Sequence, residues 1–143
     1  MSATITVTQD FDTCLALRHQ VFVQEQGVPI EEEQDALDAE ATHLLASISG
    51  TAVGTARILF QGPVAKVGRV CLLPSARGTG LGADVIRATI AIARDTPGID
   101  RVKLGAQIQA LGFYEKLGFQ AFGPVYDDAG IDHRDMVLAL EPA

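Results

Sequence analysis

The stretch that decides the fold is Val70-Cys71-Leu72-Leu73-Pro74-Ser75-Ala76-Arg77-Gly78-Thr79-Gly80-Leu81-Gly82. A β-rich run stops at Pro74, which has no backbone N–H to give to a sheet. A short loop follows, and three alternating glycines open a helix. Glycine permits positive φ and lets backbone N–H groups approach a ligand with no Cβ in the way. The first N–H groups of a helix have no internal partner, and the helix dipole adds partial positive charge, so such an end binds phosphate or pyrophosphate. Arg77 sets a fixed positive charge beside it. The plain alternative is a loop with a glycine-rich helix start. Glycines 80 and 82 would then weaken that helix by roughly 1 kcal/mol each with nothing gained.

Outward from this turn the periodicities alternate. From Gly80 to Arg94, Leu81, Val85, Ala88 and Ile92 fall on one helical face and Asp84, Arg87 and Arg94 on the other. Pro97-Gly98 ends that helix. Arg101–Leu104 is a short strand, and Gln107–Leu117 a helix with Gly118 as its left-handed cap and Phe119 packing back. A hairpin of Phe119–Phe122 with Arg134–Leu140 closes the chain. Upstream, Val64–Leu73 is a strand, and Thr42–Ser49 and Thr51–Phe60 form a hairpin about Gly50. Asp10 caps a helix carrying Phe11, Cys14, Leu15, Val21 and Phe22, stopped by Gly27 and Pro29. Ile5 and Val7 belong to a first short strand. The strand–helix–strand crossover from 64 to 104 makes those two strands parallel, and the hairpins make the rest antiparallel. The expectation is an α+β domain over residues 1–143, a mixed sheet with helices on its faces.

Composition narrows the function classes. Hydrophobic residues at 48% supply a core, and no run approaches the roughly 18 apolar residues of a membrane span. Met1-Ser2-Ala3-Thr4 lacks the basic and apolar regions of a secretory signal. Eleven basic against eighteen acidic residues give a charge of −7, which repels nucleic acid. Six of the carboxylates crowd into residues 31–40, EEEQDALDAE, read as a loop or short irregular helix, either simply solvated or able to attract a cationic amine through Glu31, Glu32, Glu33, Asp35 and Asp38. Arg18 binds an acceptor carboxylate or pairs with an acidic neighbour. Cys14 and Cys71 are expected as free thiols in the cytoplasm. His19, His43 and His133 are widely spaced, and no metal site is expected.

Two phosphate-binding motifs are set aside. No Gly-Lys-Ser/Thr occurs, so a P-loop is excluded. Gly78-x-Gly80-x-x-Ala83 meets the dinucleotide pattern, but Pro74–Arg77 separate it from its strand, and the next strand ends without a carboxylate for a ribose. The third reading is coenzyme A. Arg77-Gly78-Thr79-Gly80-Leu81-Gly82 closely resembles the cofactor motif of the GNAT N-acetyltransferase superfamily, Arg/Gln-x-x-Gly-x-Gly/Ala. Ala110-Leu111-Gly112-Phe113-Tyr114-Glu115-Lys116-Leu117-Gly118-Phe119 looks like that family's second signature. Leu17–Pro29, Ala41–Leu45 and Gly130–His133 are similar to its ElaA/YjcF-like branch.

The resemblance implies a GNAT fold: a mostly antiparallel sheet of six to seven strands with a central splayed parallel pair, flanked by about four helices. It implies acetyl-coenzyme A as acyl donor, with pyrophosphate at the amides of Arg77, Gly78, Thr79, Gly80, Leu81 and Gly82. The pantetheine arm would run along Val70, Cys71, Leu72 and Leu73. Gln107 and Phe113 would face it, or serve as helix cap and core residue. Transfer to an amine needs a positioned thioester, a polarised carbonyl, an amine that loses a proton and a thiolate that gains one. A backbone N–H near Leu72 is the oxyanion donor, and Tyr114 is the candidate acid, since a phenol pKa of about 10 is close to a thiol's, or else a buried phenol satisfying one hydrogen bond. Many relatives place a glutamate near Gly68. This chain has none, so His133 is the candidate base, with His43 second. The acceptor is a small-molecule or peptide amine, and the protein a monomer or homodimer. The rival is a catalytically silent acyl-coenzyme A binding module.

Overall fold

The structure, a computed structural model, describes residues 3–33 and 35–140; the expected domain 1–143 therefore includes six residues outside the described ones. Seven strands form one sheet: β1 (Ala3–Thr8), β2 (Thr42–Ile48), β3 (Thr51–Gln61), β4 (Val64–Leu72), β5 (Arg101–Gln107), β6 (Gln120–Asp128) and β7 (Ile131–Ala139). Their order is β1-β2-β3-β4-β5-β7-β6, and β4–β5 is the single parallel pair, as the crossover requires. The helices are α1 (Phe11–Arg18), α2 (Ile30–Glu33), α3 (Leu81–Arg94) and α4 (Leu111–Lys116), with short 3₁₀ turns between elements.

Alternation along the strands sends residues to two faces. Leu45 and Cys71 join Leu17 and Val21 of the α1 region, while Ala46 joins Leu81 and Val85 of α3. Between β4, β5 and β7 the core is Val67, Val102, Leu104, Met136, Ile86 and Phe119, all buried. Asp10 caps α1, accepting from the Thr13 N–H at 3.2 Å. Past Arg18 the helix widens into a π-helical stretch, His19–Glu25, before the Val28 N–H closes on the Phe22 carbonyl at 2.8 Å. Among the described residues no helix is long and apolar enough to cross a membrane.

Two expectations are corrected. β5 continues to Gln107, because Gly105, Ala106 and Gln107 pair with Asp135, Arg134 and His133 of β7. The helix expected from Gln107 is therefore a 3₁₀ turn, Ile108–Ala110, and then α4. The closing hairpin is also longer than expected. Ala129 and Gly130, at φ 54° and 83°, form a two-residue turn whose left-handed pair matches strand twist. Pro124 is tolerated because β6 is an edge strand with a register break between Phe122 and Tyr126.

Candidate active site

β4 and β5 bond only from Val64↔Arg101 to Val67↔Leu104. Beyond that point they diverge, and the cause lies in β4. Gly68 faces Arg57 and Cys71 faces Thr55, so Arg69 and Val70 stand opposite one residue of β3. This is a β-bulge, which bends its strand. Arg69 takes the left-handed conformation at φ 53°, where a side chain costs about 1–2 kcal/mol. Its guanidinium holds it there by donating to the Glu33 carbonyl at 3.1 Å and to Asp35 at 3.3 Å. The divergence opens a cleft of about 490 Å³, lined among others by Val70, Gln107, Tyr114, Tyr126 and His133.

The glycine turn stands at the end of the bulged strand. Gly78 and Gly80 have φ of 75° and 86°, and a Cβ on either would meet nothing within 4 Å. The Thr79 hydroxyl donates to the Ala76 carbonyl at 2.7 Å and fixes the turn. A Cβ on Gly82 would lie 3.5 Å from Leu72 and 3.6 Å from Phe113, filling the space between them. Residues 78–82 therefore fit a group that needs close backbone approach. Phe113 is 40% exposed beside this turn, so it is not a core residue.

Other expected contacts fall differently. Arg77 donates bidentately to Glu25 at 2.7 Å and through Nε to the Leu72 carbonyl at 3.1 Å. Gln107 occupies the N-cap position of the Ile108–Ala110 turn without a side-chain capping bond; its amide donates to Gln26 at 3.1 Å, so residues 25 and 26 strap both walls of the cleft. Cys71 is buried, and burial pushes its thiol up to about 12. The Leu73 N–H is already taken by the Val53 carbonyl at 2.7 Å. Both cysteines are free.

Tyr114 borders the cleft, its ring edge-on to Phe113 at 5.0 Å and Phe119 at 5.9 Å. Burial pushes its hydroxyl up to about 12. His133 Nδ1 lies 2.7 Å from the Ile131 carbonyl. A carbonyl only accepts, so Nδ1 carries a proton, and in the neutral tautomer of the ring Nε2 is the acceptor. The imidazole stacks on Tyr126 at 6.0 Å, and the Tyr126 hydroxyl donates to Asp135 at 2.8 Å. Burial, and then the Asp135 carboxylate, push that phenol up to about 12. The hydroxyl lies over Gly105, where a side chain would collide with it. His43 is elsewhere: Nε2 is 2.9 Å from the Asp38 carbonyl and the ring packs on Phe11. It is not part of this cleft.

The acidic stretch forms the short helical turns Ile30–Glu33 and Ala36–Ala39; Glu31, Glu32 and Glu40 are exposed, but Glu33, Asp35 and Asp38 are engaged by arginines. Arg18, Asp38, Arg57, Asp35, Arg69 and Glu33 close a ring of alternating charge. Arg18–Asp38 and Arg57–Asp38 are 2.8 Å, Arg57–Asp35 2.7 Å, Arg69–Asp35 3.3 Å and Arg69–Glu33 3.8 Å, and Arg18–Glu33 completes it. Arg18 and Glu33 are 1% and 2% exposed. Burial pushes the Asp38 carboxyl up, but hydrogen bonds from Arg18 and Arg57 outweigh this and hold it at about 2. The ring ties residues 33–38 to α1, β3 and β4 and forms one shoulder of the cleft. Arg57 was hidden within a β-rich run, Asp135 within the last expected strand, and Tyr126 fell outside the short hairpin expected. Only pairing across strands brings them here. Among the described residues, no three His, Cys, Asp or Glu side chains are placed to hold a metal ion.

A sheet with one splayed parallel pair, a bulge at the splay and a glycine turn beyond it defines the class to which the comparisons point. Residues 8–140 match the model of the acetyltransferase (GNAT) domain, and the chain belongs to that family. A candidate acetyltransferase of Bacillus subtilis is 41% identical over 132 residues, covering 90% of this chain and 89% of that protein. YjcF of the same organism, an uncharacterized N-acetyltransferase, is 37% identical over 85% of this chain and 86% of its own length. The crystal structure of Escherichia coli ElaA superposes with a TM-score of 0.83 at 26% identity, covering 96% and 98% of the two chains. An acyl-CoA N-acyltransferase from Pseudomonas aeruginosa gives 0.84 at 30% identity, covering 96% and 99%.

Proposed function

We propose that this chain, as one domain over residues 1–143, moves an acetyl group directly from acetyl-coenzyme A to a primary amine of a small molecule or peptide. The observation that carries the reading is the cleft at the β4–β5 splay, with the open turn of Gly78–Gly82 beside it and Tyr114 and His133 on its walls. Amides of residues 77–82 hold the pyrophosphate, and Val70–Leu73 together with Gln107 and Phe113 guide the arm. The Leu72 N–H polarises the thioester carbonyl. His133 Nε2 takes the amine proton as the C–N bond forms. The Tyr114 hydroxyl gives its proton to the sulfur as the C–S bond breaks. The phenol is well matched to this task. Burial raises it to about 12, so the phenol stays protonated at neutral pH and keeps a proton to give.

The same reading makes the protein cytoplasmic, a monomer or homodimer, acting without metal, membrane or nucleic acid. A second reading has one observation in its favour. Gly68 offers no carboxylate where the family resemblance implies one, which fits a silent acyl-coenzyme A binding module. Thermal shift against acetyl-coenzyme A, NAD and ATP tests the shared step, and ligand at a hundred times its dissociation constant should add about 2.7 kcal/mol. Stabilisation by NAD or ATP alone refutes both readings. Thiol release in the presence of an amine panel separates the enzyme from the silent module.

A further inference from the structure

One half-buried carboxylate of the cleft has no cation. Asp135 lines the cavity, and its Oδ1 accepts from the Tyr126 hydroxyl at 2.8 Å. Among the described residues its Oδ2 makes no hydrogen bond and no ion pair engages the side chain. The carboxylates of the charge ring, by contrast, are each neutralised by arginine. Tyr126 does not supply the missing charge. Burial and then Asp135 itself hold that phenol protonated, its pKa at about 12, so it offers one neutral hydrogen bond. A carboxylate drawn partly out of water without a cation is costly, and a cationic partner relieves that cost.

Strand register puts this carboxylate at the mouth of the splay. Val67↔Leu104 is the last bonded pair of β4 and β5, so Gly68 and Gly105 are the first residues beyond it. Gly105 pairs with Asp135 of β7. A Cβ on Gly105 would lie 3.8 Å from Asp135 Oδ1 and would collide with the Tyr126 hydroxyl, so both groups lean over β5 into the space its missing side chain leaves. On the facing strand, a Cβ on Gly68 would meet only Arg57 Nε, at 4.0 Å. The two glycines keep the floor of the cleft free of side chains at this level. The carboxylate that β4 does not offer at Gly68 is thus present on the opposite wall.

We infer that Asp135 anchors the acceptor nitrogen: an ammonium or amine N–H donates to Oδ2 at the splay, while the Tyr126 hydroxyl holds Oδ1 in place. The inference rests on the acetyltransferase reading and adds a residue to its site. His133 stacks on the same Tyr126 ring at 6.0 Å, so anchor and base share one aromatic support. An ammonium held there loses one proton to solvent before it attacks. The second passes to His133 Nε2 as the C–N bond forms, and Asp135 stays ionised throughout. A hydrogen bond to a charged group changes affinity on the order of tenfold to a hundredfold.

The test uses matched probes of similar shape that differ in charge: benzylamine against benzyl alcohol, hexylamine against hexanol, and alaninamide against lactamide. Each is titrated by calorimetry at pH 7 into the protein, free and loaded with coenzyme A. At least one amine should bind about tenfold or more tightly than its alcohol. Asp135→Asn, whose amide oxygen can still accept from Tyr126, should bind the coenzyme as before and lose that preference. Asp128→Asn removes another carboxylate of the same cavity and should keep it. A second readout leaves Asp135 untouched. The chain has two tyrosines and no tryptophan, so in the Tyr114→Phe protein tyrosine fluorescence reports on Tyr126 alone. The preferred amine should change that signal with the midpoint seen by calorimetry. Equal affinity within every pair, no binding by any probe, a preference that survives Asp135→Asn or vanishes in Asp128→Asn, or a Tyr126 signal blind to bound amine each overturns the inference. Failure of coenzyme A to bind would instead refute the acetyltransferase reading, and the titrations on the free protein would still test Asp135.

Discussion

Replacing Tyr114 by phenylalanine removes one oxygen and leaves the ring against Phe113 and Phe119. The structure sets two magnitudes for this change, one for stability and one for catalysis. Among the described residues the hydroxyl makes no hydrogen bond, and burial alone moves its pKa to about 12. Deleting a hydroxyl that faces the cleft and makes no bond within the protein should leave the melting temperature unchanged. Catalysis should fall instead. Loss of a positioned general acid typically slows the reaction about 10²–10⁴-fold, or roughly 3–5 kcal/mol of barrier. The loss should fall on kcat more than KM, because the proton is needed only as the sulfur departs. The assay is single-turnover acetyl transfer at saturating acceptor, so that product release does not mask chemistry. A phenol at about 12 stays protonated up to about pH 11, so an alkaline fall in rate below that pH would not belong to Tyr114. A variant that transfers acetyl at the wild-type rate under these conditions refutes the assignment, and thiolate protonation then comes from another donor.

At Gly80→Val the new Cβ meets no atom within 4 Å but must hold φ near 86°, which costs about 1–2 kcal/mol; far-UV circular dichroism should be retained while calorimetry shows coenzyme binding lost. Asp38 is held at about 2 against an ordinary 3.8, so its contribution of about 2 kcal/mol is present above pH 4 and lost as pH falls through 2. Urea unfolding of Asp38→Asn should accordingly show lower stability at pH 7 and a flatter pH dependence between 4 and 2; a slope equal to wild type would contradict the ring. Glu25→Gln releases the exposed Arg77 guanidinium for an anionic ligand, and coenzyme affinity should rise by at most about fivefold, an increase that high salt removes.

The local sequence already determined the elements whose cause is local. Asp10 caps its helix because its carboxylate reaches the Thr13 N–H three residues on. The glycine turn was legible because positive φ at residues 78 and 80 selects glycine whatever lies around it. The parallel β4–β5 pair followed from a crossover that contains one helix and no hairpin. Tertiary structure decided everything that depends on a partner distant in the chain. Gly105–Gln107 reads as the approach to a helix until β7 pairs with it. Residues 31–40 read as a solvated acidic stretch because six carboxylates among ten residues describe charge, not position. Arg18, Arg57 and Arg69 come from three separate elements, and no spacing in the sequence announces that they converge on Glu33, Asp35 and Asp38. The bulge at Arg69 has the same origin. A left-handed arginine runs against local preference, and only its side-chain bonds to a segment 36 residues upstream make that conformation hold.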